Sequence, residues 1–210
     1  MRTPAAHDTF YARAVLPWLI HLAMKNKEIA RRRAGVVTAA RGRVLEIGIG
    51  SGLNLPHYRG VAQVVGLDPS LKLLTFARKK MRDAAFPVEL IADTAEELPF
   101  CDATFDTVVS TCTLCSIPDI ARALGEARRV LKPDGRFIFL EHGHSPDPAI
   151  AKWQDRLTPL WRRWAGGCHL NRRIDAALRD AGFAIESLRN EYAKGPRPMT
   201  YLYIGTALRD

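Results

Sequence analysis

The run Arg43-Val44-Leu45-Glu46-Ile47-Gly48-Ile49-Gly50-Ser51-Gly52 constrains this chain more than any other stretch. Val44, Leu45 and Ile47 read as a short buried strand. Three glycines spaced two apart end it. Without a Cβ the backbone can turn sharply and lay its N–H groups against a ligand. A short helix is expected from about Leu53, its partial positive charge aimed at the same spot. A dinucleotide-binding turn would put its third glycine three places after the second. Here Gly52 comes two after Gly50, and Leu53 holds the third place. Glu46 sits at the strand end, placed to accept hydrogen bonds from a cationic or hydroxylated ligand. The next apolar run, 63–67, ends at Asp68, 22 residues beyond Glu46. A carboxylate about 20 residues on, at the end of the second strand, suits a ribose diol.

Strand and helix patterns then alternate, which argues for a parallel sheet. Residues 71–84 repeat Leu73, Leu74, Ala77 and Met81 at a helical period, with Ser70 as N-cap. Strands are expected at 88–92 and 105–110, then a helix over 120–131. Pro133 stops that helix and Gly135 permits the turn into a fifth strand, 137–140. This strand delivers Glu141 and His142 at its C-terminal end, where open α/β sheets bind ligands. A helix bearing Trp153, Leu157, Leu160, Trp161 and Trp164 follows, then a turn at 166–171 and a helix at 172–181. Two final strands are expected at 183–188 and 200–207.

The Glu-x-Gly-x-Gly-x-Gly turn with Asp68 resembles the first motif of class I S-adenosylmethionine (SAM) methyltransferases; another nucleotide-binding α/β protein is the other reading. The resemblance implies a Rossmann-like, seven-stranded, mostly parallel sheet in the order 3-2-1-4-5-7-6, with helices on both faces and an N-terminal helical lid. It divides the chain into a helical extension, 1–40, and a methyltransferase domain, 41–210. It implies SAM as cofactor and S-adenosylhomocysteine as product. The glycine turn (Glu46, Gly48, Ile49, Gly50, Gly52) would hold the amino-acid part, and Asp68 with Pro69 the ribose. Asp93, Thr94 and Ala95 resemble the adenine-contacting segment; a polar strand-to-loop junction would look the same. Thr111 and Cys112, after the fourth strand, would lie beside the methyl sulfonium. The Leu-Lys-Pro-Asp-Gly turn at 131–135 is another element of that family.

Composition bounds the partners. The 210 residues suffice for one α/β domain, and 47% hydrophobic with 25% charged residues is ordinary for a globular chain. The formal charge is +9, from 31 Lys plus Arg against 22 Asp plus Glu. Only Arg31-Arg32-Arg33 forms a tight cluster, and no basic tract interleaves with aromatics, so no nucleic-acid partner is expected. The amino-group DNA enzymes' Asn/Asp-Pro-Pro-aromatic motif is absent; Ser110-Thr111-Cys112 stands there. Residues 9–24 are apolar but broken by Arg13 and Pro17, too short to span a bilayer. Three readings of the N-terminal helices stand open: a lid over the site, packing on the flank, or peripheral contact with a membrane. With no secretory signal, thiols and a cytoplasmic location are expected. Cys112-x-x-Cys115 lacks a second pair, no His/Asp/Glu cluster has ligand spacing, and no metal is expected.

The finer pattern concerns the acceptor. The segment 111–116, Glu141-His142, the tryptophan-bearing helix and Gly167-Cys168-His169-Leu170 resemble the methyltransferase-like group that includes alkyl-thiol S-methyltransferases. That implies a small-molecule acceptor, a thiol or sulfide, methylated by in-line displacement. The pocket expected for it comprises Tyr11, Leu114, Cys115, Trp153, Trp161 and Cys168. His142 is the first candidate base, with a purely local hydrogen-bonding role as its other reading, and His169 is the second candidate. The segment 95–100 also looks like quinone-pathway enzymes, which keeps open C-methylation of a quinone-like ring, N-methylation of a lipid headgroup, or SAM binding without turnover. Nothing in the chain points to an oligomeric state.

Overall fold

The computed structural model describes residues 10–209. Its seven strands are β1 Gly42–Ile47, β2 Val61–Leu67, β3 Val88–Ile91, β4 Phe105–Thr111, β5 Leu131–His142, β6 Phe183–Tyr192 and β7 Tyr201–Arg209. They form one sheet in the order β3-β2-β1-β4-β5-β7-β6. β1 to β5 are parallel, and β7 runs antiparallel to both β5 and β6. This is the expected Rossmann-like arrangement. The 131–135 turn is drawn into β5 as an irregularity, where the register to β4 shifts between Phe105 and Thr107.

Successive strand residues point to opposite faces, and the core divides accordingly. Leu45, Val65, Val108 and Phe137 pack on one face against Leu124 and Ala127 of α4 (Ile120–Val130) and Leu178 of α6 (Ile174–Asp180). Val44, Val64, Val109 and Ile138 pack on the other against Val37 of α2 (Lys27–Val37) and Leu74 of α3 (Leu71–Met81). Each fully buried Val, Leu, Ile or Phe among them contributes about 1.5–3 kcal/mol of transfer free energy. Ser70 caps α3 as expected, accepting Leu73 N–H, and Asn26 and Asp119 cap α2 and α4 by accepting Glu28 N–H and Arg122 N–H.

A π-helical turn, Tyr11–Val15, leads into α1 (Leu16–Met24), whose first turn carries Pro17. α5 spans Pro148–Trp164, and a last single turn, α7, Arg197–Thr200. Trp18, Leu19 and Leu22 of α1 and Leu160 and Trp164 of α5 expose large apolar surface. Among the described residues no helix is long and apolar enough to cross a membrane. One expectation is corrected. The glycine turn leads only to a 3-10 turn, Leu55–His57, rather than an α-helix. Pro56 withholds an N–H, and the Asn54 side chain is drawn inward to Glu46 and Thr111 instead of capping a helix.

Candidate cofactor and acceptor site

After β1 the chain folds back on the end of β2: Gly48 and Ile49 N–H both donate to Leu67 O, at 2.8 and 3.0 Å. Gly48, Gly50 and Gly52 all have positive φ, at 68°, 54° and 71°. A Cβ on Gly48 would collide with the Thr113 side chain. A Cβ on Gly50 would meet nothing closer than 3.9 Å, an ordinary contact distance. Asp68 reaches into the turn, its Oδ2 accepting Gly50 N–H at 3.0 Å and its Oδ1 accepting Ser70 N–H at 2.8 Å. Burial pushes its carboxyl up to about 6, against the pull of those two bonds. Each oxygen keeps a lone pair for a ribose hydroxyl. Ile49 offers only its backbone, because its side chain is buried against Gly66.

Beneath the turn lies a buried polar network. Glu46 accepts Asn54 Nδ2–H at 2.9 Å and Tyr58 O–H at 2.8 Å. Arg33 of α2 donates from Nη1 to Asn54 Oδ1 at 3.0 Å and to Thr111 Oγ1 at 2.9 Å. Arg33 is 5% exposed, and its buried Nε has no partner. Burial raises the Glu46 carboxyl to about 7, with Tyr58, Arg33 and Asn54 pulling the other way. A bound zwitterion would satisfy this place: its carboxylate matches the spare Arg33 donor and its ammonium the Glu46 carboxylate. The residues present therefore fit the amino-acid end of SAM.

The Glu46 shift has a measurable consequence. An acid with a raised pKa in the folded state favours folding at low pH and loses that advantage as pH rises. The ligand-free wild type should therefore lose stability relative to Glu46→Gln between about pH 4, the free glutamate range, and about 7. Chemical denaturation across that window checks the sign; a gain with rising pH would contradict the burial assignment.

α1 covers the turn. His21 Nδ1 lies 2.7 Å from Ser51 Oγ, and its ring stacks on Phe76 of α3 at 4.9 Å. Lys80 Nζ donates to Ser51 O at 2.9 Å. At the β3 end, Asp93 accepts Thr94 N–H at 2.8 Å; Thr94 is exposed, Pro69 is exposed, and Ala95 is buried in the core.

The ends of β4 and β5 form the other half of the site. Glu141 is fully buried and accepts Ser110 O–H at 2.7 Å and Thr113 N–H at 2.9 Å. It thereby holds the turn after β4, where Cys112 takes a φ of 54°. Burial pushes the Cys112 thiol up to about 12. Cys112 and His142 line a cavity of about 170 Å³, together with Met24, Ile29, Met199 and Leu202. A larger cleft of about 360 Å³ runs between Arg41, Asp106 and Arg136, at the opposite strand ends, away from the glycine turn.

The expected acceptor residues separate into groups. Cys115, Cys168 and Trp161 come together, with Trp161 Nε1–H donating to Cys168 Sγ at 3.2 Å. His142 joins them, its Nε2 3.2 Å from Cys168 Sγ. Leu114, by contrast, is fully buried in the core with α4. Tyr11 donates its hydroxyl to Trp164 O at 2.8 Å and packs edge-on against that ring. Trp153 is 54% exposed, with Arg156 over its ring. None of the six residues expected to form the acceptor pocket lines the 170 Å³ cavity; Cys115, Cys168 and Trp161 cluster behind its His142 wall instead. His169 braces the β4 turn: both its N–H and its Nδ1 lie on Cys115 O, at 2.8 and 3.1 Å.

Arg33, Asn54 and Tyr58 escaped the sequence reading. Arg33 had a detectable signal. Ile29, Arg33 and Val37 fall four apart on α2, so this arginine shares the apolar face while Arg31 points to solvent. Asn54 and Tyr58 lie in an aperiodic stretch that carries no such mark.

A glycine turn over a Rossmann-like sheet, a second-strand acid reaching into it and a zwitterion-matched pair fit a nucleoside-binding enzyme. The Methyltransferase domain family matches residues 45–139. The chain is 32% identical over 187 residues to the thiol S-methyltransferase TMT1B of Homo sapiens, covering 86% of this chain and 75% of that protein. The chain belongs to the class I SAM-dependent methyltransferases, with SAM as its methyl donor. It is also 41% identical over 114 residues to the phosphatidylethanolamine N-methyltransferase of Cereibacter sphaeroides, covering 53% of this chain and 56% of that one. In fold it resembles geranyl diphosphate methyltransferase solved with SAM, at a TM-score of 0.70 and 15% identity over 97% of this chain and 92% of that one.

Proposed function

We propose that this enzyme S-methylates a small thiol or sulfide. The cavity at the ends of β4 and β5 carries the reading. It measures about 170 Å³, below the roughly 300–1,000 Å³ usual for drug-sized ligands. Three sulfur side chains, Met24, Cys112 and Met199, line it with Ile29 and Leu202, while Asn26, Glu28, Lys194 and Thr200 form its polar part. A short, soft nucleophile suits the sulfur-bearing part of that wall; a lipid headgroup or a prenylated ring needs more room. The match to the thiol-methylating relative supports the same reading, since it covers 86% of this chain and so must include part of it beyond His142.

In this reading Asp68 holds the ribose, and the glycine turn, Glu46 and Arg33 hold the amino-acid end. Asp93 and Thr94 face the adenine, and α1 closes over the turn through His21 and Ser51. Bound SAM supplies an electrophilic methyl on a sulfonium. The chain's task is then alignment and exclusion of water, which can supply most of the rate in an in-line displacement. Peripheral membrane contact through the exposed face of α1 is compatible with this arrangement, as is a freely diffusing enzyme.

Incubation with methyl-labelled SAM and a panel of hydrogen sulfide, short alkyl thiols, phosphatidylethanolamine vesicles and a hydroquinone tests the proposal. Label is expected in methanethiol and alkyl methyl sulfides. Label confined to the lipid fraction or the ring would overturn it.

A further inference from the structure

Three side chains distant in sequence converge behind the acceptor cavity. Cys115 Sγ, a ring nitrogen of His142 and Cys168 Sγ all lie within 4.8 Å of one another, and His142 Nε2 is 3.2 Å from Cys168 Sγ. The two cysteines are 2% and 8% exposed, and the surroundings are apolar: Leu157, Leu170 and Met199. His142 turns its Nε2 toward the sulfurs in these apolar surroundings. Cys168 Sγ accepts a hydrogen bond from Trp161 Nε1–H at 3.2 Å. The Arg172 guanidinium sits in the field of both sulfurs.

The distances suit a tetrahedral ion. Zinc bonds of about 2.3 Å to sulfur and 2.0–2.1 Å to nitrogen give edges of about 3.8 Å between sulfurs and about 3.5 Å between sulfur and nitrogen. The His142–Cys168 separation is 3.2 Å, and the outer bound on the trio is 4.8 Å, so small side-chain rotations close the site. Among the described residues no fourth Cys, His, Asp or Glu joins the group. Three protein ligands with one open position is the pattern of a catalytic zinc site rather than a structural one.

We propose that Cys115, His142 and Cys168 bind a zinc ion whose open position takes the acceptor's sulfur. That second role rests on the thiol reading above; the metal site does not. A thiol entering the site loses its proton to solvent, because coordination deprotonates it. Its sulfur pair then forms the new bond to the methyl carbon. The methyl–sulfonium bond breaks, its electron pair passing to the donor sulfur, and the neutral thioether, a weaker ligand, leaves. No redox change occurs. Two thiolates and a neutral imidazole cancel the ion's charge, so Arg172 offsets the charge of the incoming thiolate. His142 is shared between the ion and the cavity wall, which puts the open position beside the space for the acceptor.

The test uses full-length protein stripped with a chelator under reducing conditions, with cobalt(II) alone as the first probe. One equivalent should bind and give a near-ultraviolet thiolate-to-cobalt band with the visible bands of a tetrahedral ion. Zinc should displace it and protect two thiols from a chromogenic disulfide. Cys168→Ser should weaken the band, while Cys101→Ser, at an exposed site, should leave it unchanged. If Cys168→Ser fails to fold, the wild-type spectrum and thiol protection still decide. Absence of the band, or a Cys115–Cys168 disulfide that excludes the ion, overturns the site. Thiol methylation should fall about tenfold or more without metal and return with zinc. Full activity in the metal-free enzyme overturns the zinc role while leaving the thiol reading intact. A bound ion with label appearing only in lipid overturns the thiol reading and the acceptor role together.

Discussion

Gly48→Ala should abolish measurable SAM binding and lower the unfolding temperature by several degrees. Residue 48 has φ of 68°, where a Cβ costs roughly 1–2 kcal/mol. The added methyl would also enter the space of the Thr113 side chain, and forcing atoms into a packed place costs about 1–3 kcal/mol more. Relief requires the glycine turn and the β4 turn to separate, and Glu141 resists this by holding Thr113 N–H at 2.9 Å. The two turns are the two halves of the site, so strain between them disturbs donor and acceptor together. For a chain of this size each kcal/mol shifts the transition by about 2–4 °C. Thermal unfolding with a calorimetric SAM titration checks both effects. A variant with wild-type stability and affinity would show that the two turns are not packed as described.

Asp68→Ala should weaken SAM by about tenfold to a hundredfold for each ribose bond removed, since bonds to a charged group are worth about 1.5–3 kcal/mol. The loss has a second source. Asp68 also holds Gly50 and Ser70 N–H, so its removal loosens the turn that faces the amino-acid end. Asp68→Asn keeps one acceptor oxygen and should fall between the two. Isothermal titration separates the three proteins; equal affinities would mean that the ribose lies elsewhere.

Much of the sheet was legible because its strands obey simple rules. Val44-Leu45, Val64-Val65 and Val108-Val109 are apolar on both faces, as buried parallel strands must be, and Ser70 marks the start of α3 in advance. The carboxylates at 46 and 68 were legible for the same reason: each directly ends or follows a strand. The helix expected after Gly52 failed because Pro56 and the inward Asn54 side chain outweigh the local pattern. Tryptophans were poor guides to the acceptor. Trp153 and Trp164 lie on the outward side of α5, and periodicity alone does not say which neighbour a helix face meets.

The convergence of Cys115, His142 and Cys168 was hidden for a different reason. About 26 residues separate each ligand from the next, with α4 and β5 in the first interval and α5 in the second. Metal spacing is recognisable in sequence when ligands share a turn or a helix; here three separate elements bring them together. Cys112 illustrates the converse. It stands three before Cys115 yet turns away, through its positive φ, to line the cavity instead.

A crystal of the protein with S-adenosylhomocysteine and an alkyl thiol reads the central claim most directly. The account predicts the ribose on Asp68, the amino-acid carboxylate on Arg33, and the nucleoside's sulfur facing the thiol across the Cys112–His142 cavity. Density for the thiol outside that cavity, or a nucleoside sulfur turned away from it, would contradict the account.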